Sequence, residues 1–316
     1  MATAAPAPLP DVLARDASSQ RHSSLLRDTL GNILRQRSAV VGLVILGVLF
    51  ATAIFAPLIA THDPNFVLLG TEPGVEKRAD PCIHLLGCPT SEPQHILGTD
   101  GNFRDTFSRL VYGARVSLQV GFLTVGFAIF IGATIGAIAG YAGGVVDNVL
   151  MRLMDVLLAF PALILAIAIV TVLGPSLLNA QLAIGIVAIP IYARVMRASV
   201  LSVKEQDYVT AARALGDSSV GILVRRVVPN ALTPLIVQGT LGIAGAILDV
   251  AALSFLGVGA DIRTPEWGQM IGLEQRQMFT APHLIVFPGI AIALTVLAFN
   301  LLGDGLRDAL DPRLNR

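Results

Sequence analysis

Six long apolar runs divide the chain, separated by short polar connections and one long one. They cover roughly 39–60, 115–140, 151–173, 177–197, 230–258 and 284–303. Each reaches the roughly 20 residues that a helix needs to cross a bilayer. The runs are continuous, unlike the alternating segments of about ten residues that build membrane barrels. The pattern therefore predicts an all-α polytopic membrane protein with six transmembrane helices. Pro161 and Pro190 lie inside the third and fourth runs, and helices in lipid tolerate proline where neighbours satisfy the freed carbonyl. The first run begins after a 38-residue polar leader and is too long for the apolar part of a signal peptide. It is expected to stay as a span. The opening stretch MATAAPAPLPDVLARDASSQ is rich in Ala, Pro and Ser and is expected to be unstructured.

Composition agrees with this class. Of the 316 residues 54% are hydrophobic and only 14% charged, against about 25% charged in ordinary soluble domains. Lys+Arg and Asp+Glu balance at 22 each, so no basic excess points to nucleic acid. With six spans both termini share one side. That side carries 15 Lys and Arg and the other 7, which places both termini in the cytoplasm. Arg104, Arg109 and Arg115 run against this bias, because they fall outside, just before the second span. The expected layout is a cytoplasmic leader 1–38, a first helix 39–60, an external loop 61–114, a five-helix core 115–303 with a cytoplasmic loop at 204–229, and a cytoplasmic tail 304–316.

The external loop holds both cysteines, in Cys82-Ile-His-Leu-Leu-Gly-Cys88. An oxidising side favours a local disulfide. A Cys/His metal site with His84 and His95, or two free thiols, are the other readings, and the expectation is that no metal binds. His62 and His84 are read as plain loop residues. Inside the second span Gly132, Gly136 and Gly140 recur at every fourth position, leaving one face as bare backbone against which a second helix can press. The fifth span repeats the theme with Gly239, Gly242, Gly245 and Ala246. Asp249 lies well inside that span. An intramembrane carboxylate either lines a polar pathway or is protonated or caps a broken helix. Asp147, Arg152 and Asp155 bracket the inner turn before the third span and read as an interfacial charge cluster.

Between the fourth and fifth runs lies YVTAARALGDSSVGILVRRVVPNALTP, residues 208–234. Tyr208, Ala211, Ala212 and Leu215 recur at helical spacing. Gly216 then ends the helix as a glycine at C′ does. Asp217, Ser218 and Ser219 offer an N-cap for a second short helix from Val220 to Val228, closed by Pro229. The result is a helix–turn–helix elbow under the membrane. Its small side chains would admit another protein's groove, with Arg213, Arg225 and Arg226 as polar anchors. Equally, an amphipathic helix here would rest on lipid headgroups.

The elbow resembles the cytoplasmic EAA loop of inner-membrane subunits of binding-protein-dependent ABC importers. That pattern is Glu-Ala-Ala, three residues, Gly, then a hydrophobic pair before Pro. Here it reads Thr210-Ala211-Ala212, three residues, Gly216, then Val227-Val228-Pro229, with Thr in place of Glu and Val228 in place of Leu. The wording YVxAARALG is similar to the dipeptide/oligopeptide/nickel branch. So are HILGTDGNFRDTFSRLVYGARVSL (95–118), MRLMDVLLAFPALILA (151–166), LSFLGVGADIRTPEWGQM (253–270) and DGLRDALDPRL (304–314). The order matches C-type members over about residues 30–314, although Asn102-Phe103-Arg104-Asp105 replaces the usual Gly-Arg-Asp wording.

The resemblance implies a type I importer permease fold and an inner-membrane location. The partners it implies are a second homologous permease, two cytoplasmic ATPases and an external solute-binding protein, besides membrane lipid. The elbow residues Tyr208, Thr210, Ala211, Ala212, Arg213, Leu215, Gly216 and Asp217 would couple to the ATPase. Relatives commonly carry Glu at the position of Asp249. The expected function is peptide import, with glutathione or nickel chelates as alternative cargo.

Only Lys77 and Lys204 are present, neither set in a phosphate loop, and no Gly-x-Ser-x-Gly or His-Glu-x-x-His stretch occurs. The chain is therefore expected to be non-catalytic and to bind no cofactor, with ATP and Mg on the ATPase partners. The competing class is a secondary transporter driven by an ion gradient, but no internal repeat and only one mid-span carboxylate favour it.

Overall fold

The computed structural model describes residue 34 and residues 36–310; residues 1–33, with the stretch expected to be unstructured, residue 35 and residues 311–316 lie outside it. The described residues fold as helices and loops. The helices are α1 (Arg37–Ile54), α2 (Ala56–Ile59), α3 (Thr106–Ala142), α4 (Gly144–Leu158), α5 (Ala162–Leu173), α6 (Leu177–Val203), α7 (Asp207–Ala214), α8 (Ser219–Ile222), α9 (Val228–Ala231), α10 (Thr233–Phe255), α11 (Trp267–Glu274) and α12 (His283–Leu310). Five of them (α1, α3, α6, α10 and α12) are each long and apolar enough to cross a membrane.

The third expected span differs. It is a bent pair, α4 and α5, meeting at 90°. Pro161, expected to be absorbed within one helix, instead takes an extended conformation at the start of α5. Proline disfavours helix in the residue before it and removes a backbone donor, so the chain turns there. Pro190 stays inside α6 as expected.

The second span begins earlier than its hydrophobicity suggested, because Asp105 caps α3 by accepting from the Ser108 amide at 2.8 Å. Its 37 residues make a rod of about 55 Å, longer than the bilayer core is thick. The opening turns of α3 therefore project past the apolar bundle into a layer formed by the 61–114 loop, the outer layer of the expected topology, and the three arginines find partners there. Arg104 binds Asp100 at 2.7 Å and the Ile262 carbonyl at 2.8 Å. Arg109 is fully buried and donates to the Pro64 carbonyl at 3.0 Å. Arg115 donates to the carbonyls of Ala53 and Ile54, satisfying the end of α1. These charges hold loops and helix ends together.

The outer layer packs residues 61–105 against residues 256–283. Arg78 meets Glu274 at 2.7 Å, and the same carboxylate accepts from the Gly101 amide at 2.7 Å. Glu266 caps α11 through the amides of Gly268 and Gln269, and burial pushes its carboxyl up. Cys82 and Cys88 are joined as a disulfide with their Cα atoms 5.4 Å apart. His95 is buried against Asp105 at 3.0 Å. That hydrogen bond raises the His95 pKa against the opposing effect of burial. Burial pushes Asp105 up, but its bonds from His95 and Ser108 outweigh this and hold it below the usual carboxylate range.

The core is built around α3 and α6, the most extensively packed pair, with α10 laid across both and α12 between α10 and α1. Tyr192, Met196 and Val200 of α6 are buried in this core together with Ile247 and Val250 of α10.

Candidate functional site: the elbow and the helices that carry it

The elbow forms where α6 ends. Lys204 Nζ donates to the Gly140 carbonyl at 2.9 Å, tying the exit of α6 to the last turns of α3. Since α3 starts in the outer layer, the elbow sits at the opposite end of the bundle. Helix α7 ends in a Schellman motif. The Asp217 amide bonds the Ala212 carbonyl at 3.1 Å, and the Gly216 amide bonds Arg213 at 3.1 Å. Gly216 holds φ +87, a conformation that glycine alone adopts without strain. Ser218 then caps the next turn by accepting from Gly221 at 3.2 Å.

Two features depart from the sequence reading. The inward face of α7 is made by Val209 and Ala212, joined in the core by Ile222, Val227 and Ala231. Ala212, 4% exposed, therefore serves the elbow's own packing and is not an available contact residue. Tyr208 (42% exposed), Ala211 and Leu215 (87% exposed) turn outward instead, beside Thr210, Arg213 and Asp217. Of the four helically spaced residues only Ala212 faces the core, where Val209 joins it.

The second departure is at Pro229, which does not close the second helix. The path stays helical to Ala231 through a π turn at Leu223–Val227, where the Val228 amide reaches back five residues to Leu223. The wider turn accommodates a proline without an amide. Asn230 Nδ2 donates to the Arg226 carbonyl at 2.7 Å. An open hollow beside this turn is lined by Asp217, Ser218, Val220, Gly221, Val224, Arg225 and Arg226.

The glycine stripe of α3 faces α6. A Cβ at Gly132 would stand 2.7 Å from the Ile189 carbonyl, one at Gly140 would stand 2.9 Å from the Arg197 carbonyl, and one at Gly136 would overlap the Ala193 carbonyl. The stripe is thus a seam within the chain, and it locks α3 to the helix that leads into the elbow. In α10 the theme divides. Gly239 meets Ile129 and Gly242 meets the Tyr192 hydroxyl, whereas Gly245 faces open space. Sequence reasoning passed over Tyr192, whose only signal was its place beside Pro190. On α4 the charges pair individually with α6. Asp147 binds Arg197 through both oxygens, and Asp155 binds Arg194 at 2.6 Å.

Asp249 lies apart from the elbow, half-buried on α10. Its side chain makes no hydrogen bond or ion pair among the described residues. One turn away on either side stand Gly245, which is exposed, and Ala252, while Leu248 beside it is 51% exposed. This face of α10 is uncovered within the chain.

Comparison with known proteins bears on the same segments. Residues 132–316 match the family model described as binding-protein-dependent transport system inner membrane component. Residues 24–81 match the N-terminal TM domain of oligopeptide transport permease C. A dipeptide transport system permease protein of Alkalihalophilus pseudofirmus is 45% identical over 288 residues, covering 91% of this chain and 90% of the relative. That of Escherichia coli is 48% identical over 286 residues, covering 89% and 91%. A glutathione transport system permease protein of Escherichia coli is 41% identical over 288 residues, covering 89% and 88%. Among solved structures, the inward-facing MetNI methionine ABC transporter superposes with a TM-score of 0.54 at 18% identity, covering 64% of this chain and 97% of that one. A bundle whose long inner helix runs into an exposed elbow, with relatives matching it along nine-tenths of its length, belongs to the family of inner membrane components of binding-protein-dependent transport systems.

Proposed function

We propose that this chain is one permease subunit of an ATP-driven peptide importer and that residues 204–229 are its handle for a separate ATPase. The relatives named for dipeptide transport support the cargo class. The observation that carries the coupling role is the continuity of α6 with the elbow, reinforced by the glycine seam to α3. Force applied to Tyr208, Thr210, Ala211, Arg213, Leu215 or Asp217 would pass along α6 and carry α3 with it. ATP-driven closure of two cytoplasmic partners would then re-pack the helices around the pathway.

The same reading supplies the remaining arrangement. On this reading α4 and α5 together form the third of six spans, and both termini and the elbow lie in the cytoplasm, the side richer in Lys and Arg. The uncovered face of α10, with Gly245 and Asp249, meets a second homologous permease across the pathway, and an external solute-binding protein delivers cargo to the outer layer. The ATPases hold ATP and Mg, and the chain itself is non-catalytic. Glutathione is the second cargo reading, favoured by the glutathione permease relative.

The test is uptake of labelled dipeptide by vesicles holding the complete complex, with glutathione as competitor. Gly216→Val should leave membrane insertion intact while abolishing ATP-dependent uptake and co-purification of the ATPase. Normal uptake in that variant would refute the handle. Uptake that survives ATP depletion and collapses with an ionophore would favour a secondary transporter.

A further inference from the structure

His62, Glu72 and His95 come from three separate passes of the outer loop, yet each offers a ligand atom within 4.8 Å of the other two. His95 is 2% exposed. Its Nδ1 faces Asp105 Oδ1 at 3.0 Å. Asp105 also accepts from Thr61 and from Ser108, and the wholly accepting carboxylate fixes the His95 proton on Nδ1. In the neutral ring Nε2 then carries the lone pair, whereas a second proton there gives the imidazolium that the raised His95 pKa favours. Nε2 faces Glu72 Oε2 at 3.3 Å, and both atoms are buried without a hydrogen-bond partner. A cation between these two atoms, either a second proton on His95 or a metal ion, relieves their repulsion.

We infer that the outer layer carries a site for one divalent transition-metal ion of the zinc class, with His62, Glu72 and His95 as ligands. Zinc bonds of about 2.0–2.1 Å in tetrahedral array put ligand atoms about 3.3 Å apart, which is the His95–Glu72 spacing. The His62 ring, with its centroid 5.4 Å from that of His95, completes a third position with a small side-chain movement, and water takes the fourth. Asp105 behind His95 is the carboxylate that orients a metal-binding imidazole and makes it more basic. Two imidazoles and one carboxylate select zinc-like ions over calcium or magnesium. The side chains of His62 and Glu72 are partly exposed, which gives the ion an entry from solvent. Cys82 and Cys88 are bridged to each other and supply no thiolate. The ion would pin three stretches of the outer loop to the cap of α3. This site is independent of the elbow and of the cargo.

The test uses the full-length chain in detergent, purified without a polyhistidine tag and with the disulfide intact. It is stripped with a chelator and then dialysed against zinc chloride at neutral pH. Elemental analysis should find about one zinc per chain, and cobalt in its place should give the strong visible absorption of a tetrahedral site. His62→Ala, a change at a partly exposed ring, should weaken zinc binding by at least about tenfold. His84→Ala, in the same loop but outside the cluster, should leave it unchanged. No zinc above the stripped baseline would mean that His95 holds only a proton, and would overturn the site. Unchanged affinity in both His62→Ala and His95→Gln would overturn it equally.

Discussion

The outer layer and the elbow are both loops between spans, yet they are held by different physics. Outside, buried charge fixes the backbone: Arg104, Arg109, Asp100, Asp105 and Glu274 each bind several main-chain or side-chain groups, and a disulfide closes one turn. Inside, an apolar stripe of Val209, Ala212, Ile222, Val227 and Ala231 seats the elbow, while its outer side chains find few partners. A layer crowded with buried ion pairs cannot rearrange cheaply, because breaking one strands a charge. An elbow held by a single stripe keeps its shape while leaving the opposite face free for another protein. The contrast separates a rim fixed by buried charge from an elbow whose outer face is exposed.

Substitutions that probe this contrast should therefore act through stability outside and through coupling inside. Arg109→Leu should have the largest effect. It leaves Asp100 and the carbonyls of Pro64, Ile262 and Thr264 without their shared donor, and breaking a buried pair costs about 3–5 kcal/mol. Thermal unfolding of the purified chain in detergent should record it, and an unchanged midpoint would erase the distinction between the two regions. Replacing Cys82 and Cys88 together with Ser should cost about 2 kcal/mol, because the closed loop is short. Unfolding with and without reductant checks this, and the double variant should lose its sensitivity to reductant.

At the elbow, Gly216→Val should cost only about 1–2 kcal/mol, since it forces a β-branched residue to φ +87 in a place where nothing else crowds it. A larger drop in the unfolding midpoint than that of Arg109→Leu would reverse the comparison. Smallest of all, Arg226→Ala removes an exposed pair with Asp217 at 3.4 Å and should shift stability by about 0.2–1 kcal/mol. Any strong effect of that variant should appear in ATPase co-purification, not in unfolding.

The bundle was legible where one kind of signal dominated. Continuous apolar runs located the spans, and the four-residue spacing of Gly132, Gly136 and Gly140 marked a close seam that the packing against Ile189, Ala193 and Arg197 realises. Gly216 was legible because helix termination at a positive φ leaves few other residues able to serve. What failed did so where two signals compete. At Pro161 hydropathy argued for a continuous span, but the missing amide and the steric demand of the ring turned the chain. At Pro229 the reverse happened, since a π turn absorbed a proline that should have ended the helix. Arg109 reads as a free positive charge in sequence because the backbone carbonyls that bind it lie 45 to 155 residues away. The pairing of His95 with Glu72 and His62 was illegible for the same reason: loop residues meet through backbone paths that no periodicity encodes.

The π turn has a geometric consequence of its own. A regular helix advances about 100° per residue, so one surplus residue in the path from Ser219 to Ala231 sets the angle at which the preceding segment leaves α10. Deleting a single residue between Leu223 and Val227 would restore ordinary winding and swing Tyr208, Ala211 and Leu215 round the axis of that helical path by roughly a quarter turn or slightly more. The bearing of the elbow's exposed face is thus encoded by one codon.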